Sequence, residues 1–445
     1  MHIKTALLLP CLLLVVQLAA QQELMLNTLP EIWHSNTLNP AFFPKDKHFV
    51  IGLPAYALDA AHSGDIAYKD VFVKKDGKTV IDFGNAIGQL DPQNEIYLDQ
   101  RIETLSLGLR LGKGLTLQAG HANRLTGVIG YPKSLPELIW NGNAPYIGQN
   151  VQIAPRATLF DWNEWSAGAS LNFGKLSIGG RFKLLTGISS LRTDEAHQSA
   201  SIYTDPDIYQ LTLNTDYAFH SSSLISAFDT SGLGFDLDIA KVKGKVFSSN
   251  TGAAFDLGFQ LKVSERLTIS ASALDLGGKI NWTENANYWR SNGSYEYKGV
   301  TFPGANIISG FDSLDFNTKL DTLNDIFQFK KTSEKFTTTL PARYYLGAQY
   351  QLNDHWQLGL SALIQDAEDR RNVAVGGSIR WQALKWFSLG AMYSVNDRSS
   401  ANFGFQTALK VGPAQVYFTS DNLLNAFSIK SSPAVNLRAG AALIF

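Results

Sequence analysis

Asn436-Leu437-Arg438-Ala439-Gly440-Ala441-Ala442-Leu443-Ile444-Phe445 closes the chain, and its alternation places Leu437, Ala439, Ala441, Leu443 and Phe445 on one face. Period-two patterning marks a strand rather than a helix. A strand of about ten residues crosses a bilayer at a tilt. With one apolar face and a final aromatic at the membrane interface, this stretch is written like the closing strand of an outer-membrane β-barrel.

The same phase recurs upstream. Pro341 to Leu352 is followed by the turn Asn353-Asp354, and then Trp356, Leu358, Leu360, Ala362 and Ile364 alternate with Gln357, Gly359, Ser361 and Gln365. Val373, Val375, Ile379 and Trp381 oppose Asn372, Gly376, Ser378 and Arg380; Phe387, Leu389, Ala391 and Tyr393 oppose Ser388, Gly390 and Ser394. Phe403, Phe405, Thr407 and Leu409 oppose Asn402, Gly404, Gln406 and Lys410. Apolar residues should face lipid, and polar residues and glycine the lumen.

Further strands are expected near 48–58, 100–111, 115–127, 163–173, 176–188, 252–263, 267–280 and 414–420. The sum is an all-β transmembrane antiparallel barrel of about 14 strands. A pair at 198–204 and 208–218, around Thr204-Asp205-Pro206-Asp207, would raise the count to about 16. Neither arm keeps a clean lipid face, so an extracellular hairpin is the preferred reading. With a periplasmic N-terminus, every short turn falls on the periplasmic side, as does the C-terminus. The long connections, near 59–99, 128–162, 189–251 and 281–340, then fall outside.

The N-terminus gives the compartment. Lys4, the apolar run Ala6 to Val16, and Leu18-Ala19-Ala20 before Gln21 read as a signal peptide over 1–20, cleaved near Ala20. Cys11 is the only cysteine; Pro10 before it and Leu12 to Val16 after it argue against a lipobox. A cysteine-free mature chain has neither disulfides nor thiolate metal sites. The formal net charge of -1 offers no field for nucleic acid. Mean hydropathy is -0.07, far below that of a helical membrane protein, and no window of about 18 apolar residues follows the signal. The 26 phenylalanines, 16 tyrosines and nine tryptophans suit aromatic girdles in a bacterial outer membrane.

Residues 21–47 precede the first strand and are too apolar for a bare tail: Leu24, Leu26, Leu29, Ile32, Trp33, Leu38, Phe42 and Phe43 suit a plug filling the lumen. This leaves 48–445 as barrel and loops. Within the 128–162 connection, Ser134 and Glu137 form the pattern of a capping box, Leu138, Ile139 and Trp140 are apolar, and Gly142 stops the helix. That helix packs on the loops or gates a ligand pocket.

Asn39-Pro40-Ala41-Phe42-Phe43-Pro44, directly before the first strand, resembles the Asn-Pro-Ala element of the long-chain fatty-acid transporter superfamily, which includes the type IX secretion shuttle barrel of Bacteroidota. Gly142-Asn143-Ala144-Pro145-Tyr146 and Ala273-Leu274-Asp275-Leu276-Gly277-Gly278-Lys279-Ile280 look similar to an uncharacterised Bacteroidota family of such barrels. The resemblance implies a barrel of about 14 strands with an N-terminal hatch. It also implies transport of hydrophobic compounds, without a pocket matched residue by residue.

Taking the non-apolar face as inward, Arg110, Arg181, Lys183, Lys262, Arg380, Lys410 and Arg438 point into the lumen, with Asp256 as the clear inward acid. Two readings stand: a basic constriction favouring anionic solutes, or cations paired with Glu23 and Glu31 on the plug. Catalysis is not expected. His220-Ser221-Ser222 superficially resembles the His-x-Ser arrangement of outer-membrane lipid deacylases, but lies in the serine-rich stretch Ser221 to Ser226 with no orienting acid at strand spacing. The histidines, His121 included, lack ligand spacing, so no metal or cofactor is expected. Asp366-Ala367-Glu368-Asp369 before Arg370-Arg371 reads as a self-paired, solvated loop.

Two function classes remain. One is a plugged channel or transporter for small hydrophobic or anionic solutes. The other is a scaffold barrel of a secretion or surface complex. Trp282, Tyr288, Trp289, Tyr295, Tyr297 and Phe302 suit either, as ligand contacts or as interface anchors. Asp312-Ser313-Leu314 and Asp321-Thr322-Leu323 resemble short O-glycosylation acceptors of Bacteroidota. Outer-membrane lipid is the surrounding partner in both classes.

Overall fold

A computed structural model describes residues 23–63, 66, 68–75, 78–223, 248–297, 327–367, 370–396, 402–422 and 434–445. The signal peptide over 1–20, Phe302, the two acceptor-like triplets at 312–314 and 321–323, Leu224 to Ser226, and Glu368-Asp369 lie outside the described residues.

The alternating segments form 14 antiparallel strands: β1 (Phe49–His62), β2 (Gln93–Leu111), β3 (Leu115–Pro132), β4 (Arg156–Asn172), β5 (Leu176–Thr204), β6 (Thr251–Lys262), β7 (Leu267–Trp282), β8 (Ala342–Gln351), β9 (Trp356–Ala367), β10 (Arg370–Leu384), β11 (Phe387–Asn396), β12 (Asn402–Val411), β13 (Ala414–Ser420) and β14 (Ala434–Ile444). Each pairs with its neighbour in sequence, and β14 pairs back onto β1 with Tyr56 opposite Ala439 and Leu58 opposite Leu437. At the seam Phe445 donates its N–H to the Phe49 carbonyl (2.8 Å) and accepts from the His48 N–H (2.9 Å). The rings of Phe49 and Phe445 stack at 6.3 Å. The result is a closed transmembrane β-barrel in which no strand edge is left unpaired toward lipid.

Face assignment follows side-chain polarity. Leu360 is 62% exposed on the outer face while Ser361 is 2% exposed on the inner one. Stacked Trp356 and Trp381, with Trp386 and Tyr350, surround the short-turn rim. No described helix is long and apolar enough to cross a membrane.

The stretches read as long loops are in part wall. β1 runs to His62, β2 begins at Gln93, and β3 and β4 reach Pro132 and Arg156. β5 continues to Thr204 and turns at 205–210 into an external strand, Leu211–Ser222, which pairs with Ala286–Tyr297. The external hairpin therefore extends an existing wall strand, and the barrel has 14 strands rather than 16. Beyond the hydrocarbon a strand keeps its ladder but loses the need for an apolar face, so alternation fades before the strand does.

The helix Ser134–Asn141 is capped at Lys133, one residue earlier than read, and Ser134 lies inside it. The Ser134 hydroxyl donates to the Gln152 carbonyl, and the Glu137 carboxylate accepts the Tyr146 hydroxyl rather than closing a capping box. Burial and that carboxylate push Tyr146 up to about 12. Gly142, at φ 73°, ends the helix. Leu138 is buried against Val151, Ile202 and Leu213; Ile139 is exposed; Trp140 meets Phe83 at 5.6 Å.

Candidate functional site in the barrel lumen

Residues 24–44 lie inside the barrel. A single helical turn, Leu24–Asn27, leads to a 3-10 turn, Trp33–Thr37, and then to an irregular stretch whose backbone groups need partners because water cannot reach them. Inward side chains of the wall supply those partners. The Asp421 carboxylate accepts from the N–H groups of Leu24 (2.6 Å) and Met25 (2.9 Å). Gln415 accepts from the Trp33 N–H and donates to the Glu31 carbonyl, both at 3.0 Å. Gln118 donates to the Pro40 carbonyl (2.7 Å) and Ser272 to that of Leu38 (2.6 Å).

The Asn39-Pro40-Ala41 element sits on bare backbone. Asn39 folds back to accept from the Ala41 N–H (2.9 Å) and donates to the carbonyls of Phe259 (3.0 Å) and Ala271 (3.2 Å). A Cβ on Gly258 would lie 2.2 Å from Asn39 Oδ1, and one on Gly179 would lie 2.5 Å from the Pro40 carbonyl. Trp33 occupies a similar hollow over Gly52 and Gly108, where an added Cβ would approach its ring to 2.4 Å. Phe42 is buried, and Phe43 meets Trp33 edge-on at 5.7 Å. Leu24, Met25, Leu26, Leu29, Ile32 and Leu38 pack against Leu274, Tyr345, Leu363, Ala374, Met392 and Tyr417 of the wall.

A charged layer abuts this segment. Six carboxylates (Glu23, Asp99, Glu103, Glu164, Asp256, Asp275) meet six cations (Arg101, Arg124, Arg181, Lys183, Arg343, Arg438). Asp275 is at the centre, bonded to Lys183 (2.7 Å), Arg343 (2.7 Å) and Arg124 (3.0 Å). Lys183 also reaches Asp256 (2.9 Å) and Glu164 (3.6 Å). Arg438 joins Glu103 of the wall to Glu23 of the inner segment. Among the described residues of this layer the six carboxylates offset the six cations at formal charge.

The other cations read as inward sit nearer the short-turn end. Arg380 pairs with Glu31. Arg110 donates to the Pro44 carbonyl (3.1 Å) and lies 4.8 Å over the Phe43 ring. Lys262 pairs with the turn residue Glu265 at 2.7 Å, and Lys410 is exposed near the rim.

Alternation identifies Asp256 as the inward acid and misses Asp99, Glu103, Glu164 and Asp275, whereas Glu23 is the plug acid expected to pair with a cation. Glu103 points inward because a bulge between Glu103 and Leu105 shifts the phase set by Arg110, Gly108 and Ser106. Asp275, at φ 58°, sits at another irregularity in the β6–β7 ladder and turns inward beside Leu274. Of the missed acids just discussed, Glu164 alone stands in an unbroken row, with Ser166, Gly168 and Ser170, where alternation could have found it.

In the external sheet, His220 faces Glu334 at 3.3 Å. Ser221 accepts from Trp289 (2.9 Å) and Ser222 donates to the Glu284 carbonyl (2.8 Å), so the described hydroxyls bond away from the imidazole. Tyr288 donates to Asp194 at 2.9 Å. Asp366 and Arg371 pair at 2.7 Å across their turn. Among the described residues no group of three or more His, Cys, Asp or Glu side chains could hold a metal ion.

Fold and lumen together define a transmembrane β-barrel occupied by its own N-terminal segment. The chain belongs to the family of unknown function DUF5723, whose model matches residues 40–421. No curated protein matches the sequence. Among solved structures, it is similar to the toluene transporter TodX of Pseudomonas putida at 11% identity, covering 92% of each chain with a TM-score of 0.43. It is also similar to a FadL homologue of Pseudomonas aeruginosa at 10% identity, covering 96% of this chain and 98% of that one with a TM-score of 0.40. The toluene transporter TbuX of Ralstonia pickettii matches at 10% identity, over 93% and 94%, with a TM-score of 0.37.

Proposed function

We propose that this protein is an outer-membrane channel for small solutes, gated by its N-terminal segment acting as a plug that shifts reversibly. The polarity of the wall beneath that segment carries the reading. Ser270, Ser272, Gln349, Gln357, Ser361, Gln365, Ser388 and Gln415 line it, all buried. Ser272, Gln349, Gln357, Ser361 and Gln415 bond the inner segment, and amides and hydroxyls can exchange those bonds for water once the plug shifts, which an apolar wall could not do. The same lining favours hydrophilic solutes over hydrophobic ones, and the balanced charge layer gives no preference for anions. The short turns and both chain termini face the periplasm, and no catalytic step is assigned.

The test exploits a mature chain without cysteine. Thr28 Oγ1 and Ser378 Oγ lie 3.2 Å apart, so Thr28→Cys with Ser378→Cys places two sulfurs within bonding reach. In liposome swelling, the reduced double variant should pass small sugars and amino acids and the oxidised one should not. A reduced barrel no more permeable than empty liposomes would end the channel reading; equal swelling in both states would end the role of the plug.

A second reading, a scaffold for another surface protein, draws on the external hairpin, whose tip exposes Ile208 and Tyr209 at 68% and 65%. A stoichiometric partner retained on gentle purification from native membrane would favour it.

A further inference from the structure

At the long-loop rim the wall opens into a cleft of about 410 Å3, lined by Gln93, Asn94, Glu95, Gln152, Arg156 and Gln198 with the small residues Gly130, Pro132 and Ala154. It lies where the β5 extension leaves β4. The strand Asn150–Gln152 takes over pairing with β5 at Ser201 to Tyr203, and the β5 ladder to Leu211–Ser222 is irregular between Thr193 and Gln198. The volume is that of a small-ligand site.

The lining is selective in kind. Its two charges cancel, since Arg156 donates to Glu95 at 2.9 Å. Asn94 is committed to a turn, bonded twice to the Asp91 backbone at 2.6 Å and 3.1 Å. Gln93 and Gln152 are exposed and Gln198 is half-buried, and among the described residues their carboxamides bond no other protein group, which leaves them open to a ligand. Each offers an acceptor oxygen beside a donor nitrogen, the arrangement that takes one hydroxyl as donor and its neighbour as acceptor. A charged ligand finds no unpaired counter-ion here, and an apolar one would strand the amides.

We infer that this cleft is a binding site for a neutral, polyhydroxylated ligand, a mono- or disaccharide, at the outer rim of the barrel. The site is independent of passage through the lumen. Its ligand contacts come from side chains outside the plug and the charge layer, so its failure would leave the swelling result standing.

The test uses the full-length barrel in a sugar-free detergent and saturation-transfer NMR with glucose, galactose, maltose and cellobiose. At least one should receive saturation on its ring protons. Gln152→Ala with Gln198→Ala should weaken that binding roughly tenfold, the combined effect of two lost hydrogen bonds. Gln93→Ala, on the opposite wall, is the second variant and should weaken it in the same direction. No saturation of any of the four sugars would overturn the proposal. So would binding unchanged in both variants, or stronger binding of gluconate than of glucose.

Discussion

Asp275→Asn tests whether the charge layer holds the barrel together as a balanced unit. The substitution keeps shape and volume, so no cavity arises. It removes one of six negative charges and leaves Lys183, Arg343 and Arg124 around a neutral amide, at sites no more than 7% exposed. Removing one partner of a buried pair costs about 3–5 kcal/mol, and here the loss falls on three contacts of 3.0 Å or less. Adding Lys183→Met restores neutrality, because Glu164 keeps Arg101 (3.1 Å) and Asp256 keeps Arg181 (3.7 Å). The double variant should therefore be more stable than Asp275→Asn alone, with a coupling of about 2 kcal/mol. Urea unfolding in detergent, followed by tryptophan fluorescence, provides all four corners of the cycle. A single-variant loss below about 1 kcal/mol, or a cycle additive to within about 0.5 kcal/mol, would refute the argument.

Three further outcomes follow from particular contacts. Gly258→Val should lift the Asn39-Pro40-Ala41 element off the wall, raising amide exchange over residues 38–42, whereas lipid-facing Gly377→Ala, whose Cβ would meet only Leu360 at 3.6 Å, should leave exchange unchanged. Ser134→Ala should cost roughly 0.5–1.5 kcal/mol of local stability through the lost bond to Gln152, and exchange should rise on the Gln152 side as well as in the helix; a change confined to the first helical turn would restore the capping role. Burial opposes ionisation of Asp194, but the Ala196 N–H and the Tyr288 hydroxyl hold its carboxyl below the usual range. Its contribution is therefore present above the ordinary carboxylate value and lost as pH falls through the lowered one. Tyr288→Phe should start that loss at a higher pH, read as amide exchange in the 193–198 segment during acid titration.

The strands were legible because lipid imposes apolarity on every second residue, and that demand set the phase of β9 to β12 and of β14 from side chains alone. The signal weakened wherever the demand did. Thr193 to His197 continue β5 above the hydrocarbon without an apolar face, so alternation could not join the strand expected at 198–204 to the wall. The charge layer was half legible. Arg181, Lys183 and Arg438 sit in unbroken alternation, but Glu103 and Asp275 turn inward only through bulges, and a bulge depends on pairing across strands. Asp421 had no signal: its role depends on meeting the N–H groups of Leu24 and Met25 from the far end of the sequence. The inward glycines stood in the alternating pattern, yet only the structure shows that Gly179 and Gly258 are hollows fitted to Pro40 and Asn39.

The seam between β1 and β14 imposes an order of assembly. It joins strands from opposite ends of the barrel sequence, and the inner segment's bonds to Asp421 and Arg438 span separations just as long, 397 and 415 residues, so all of these contacts close late. Gln415 and Asp421 lie on or just beyond β13, next to that seam, and both hold the inner segment. The segment's bonds to the last strands and the closing of the seam therefore fall at the same late stage. A barrel shut first would have to thread residues 23–47 through a rim already completed, so seating the segment and sealing the wall are one event.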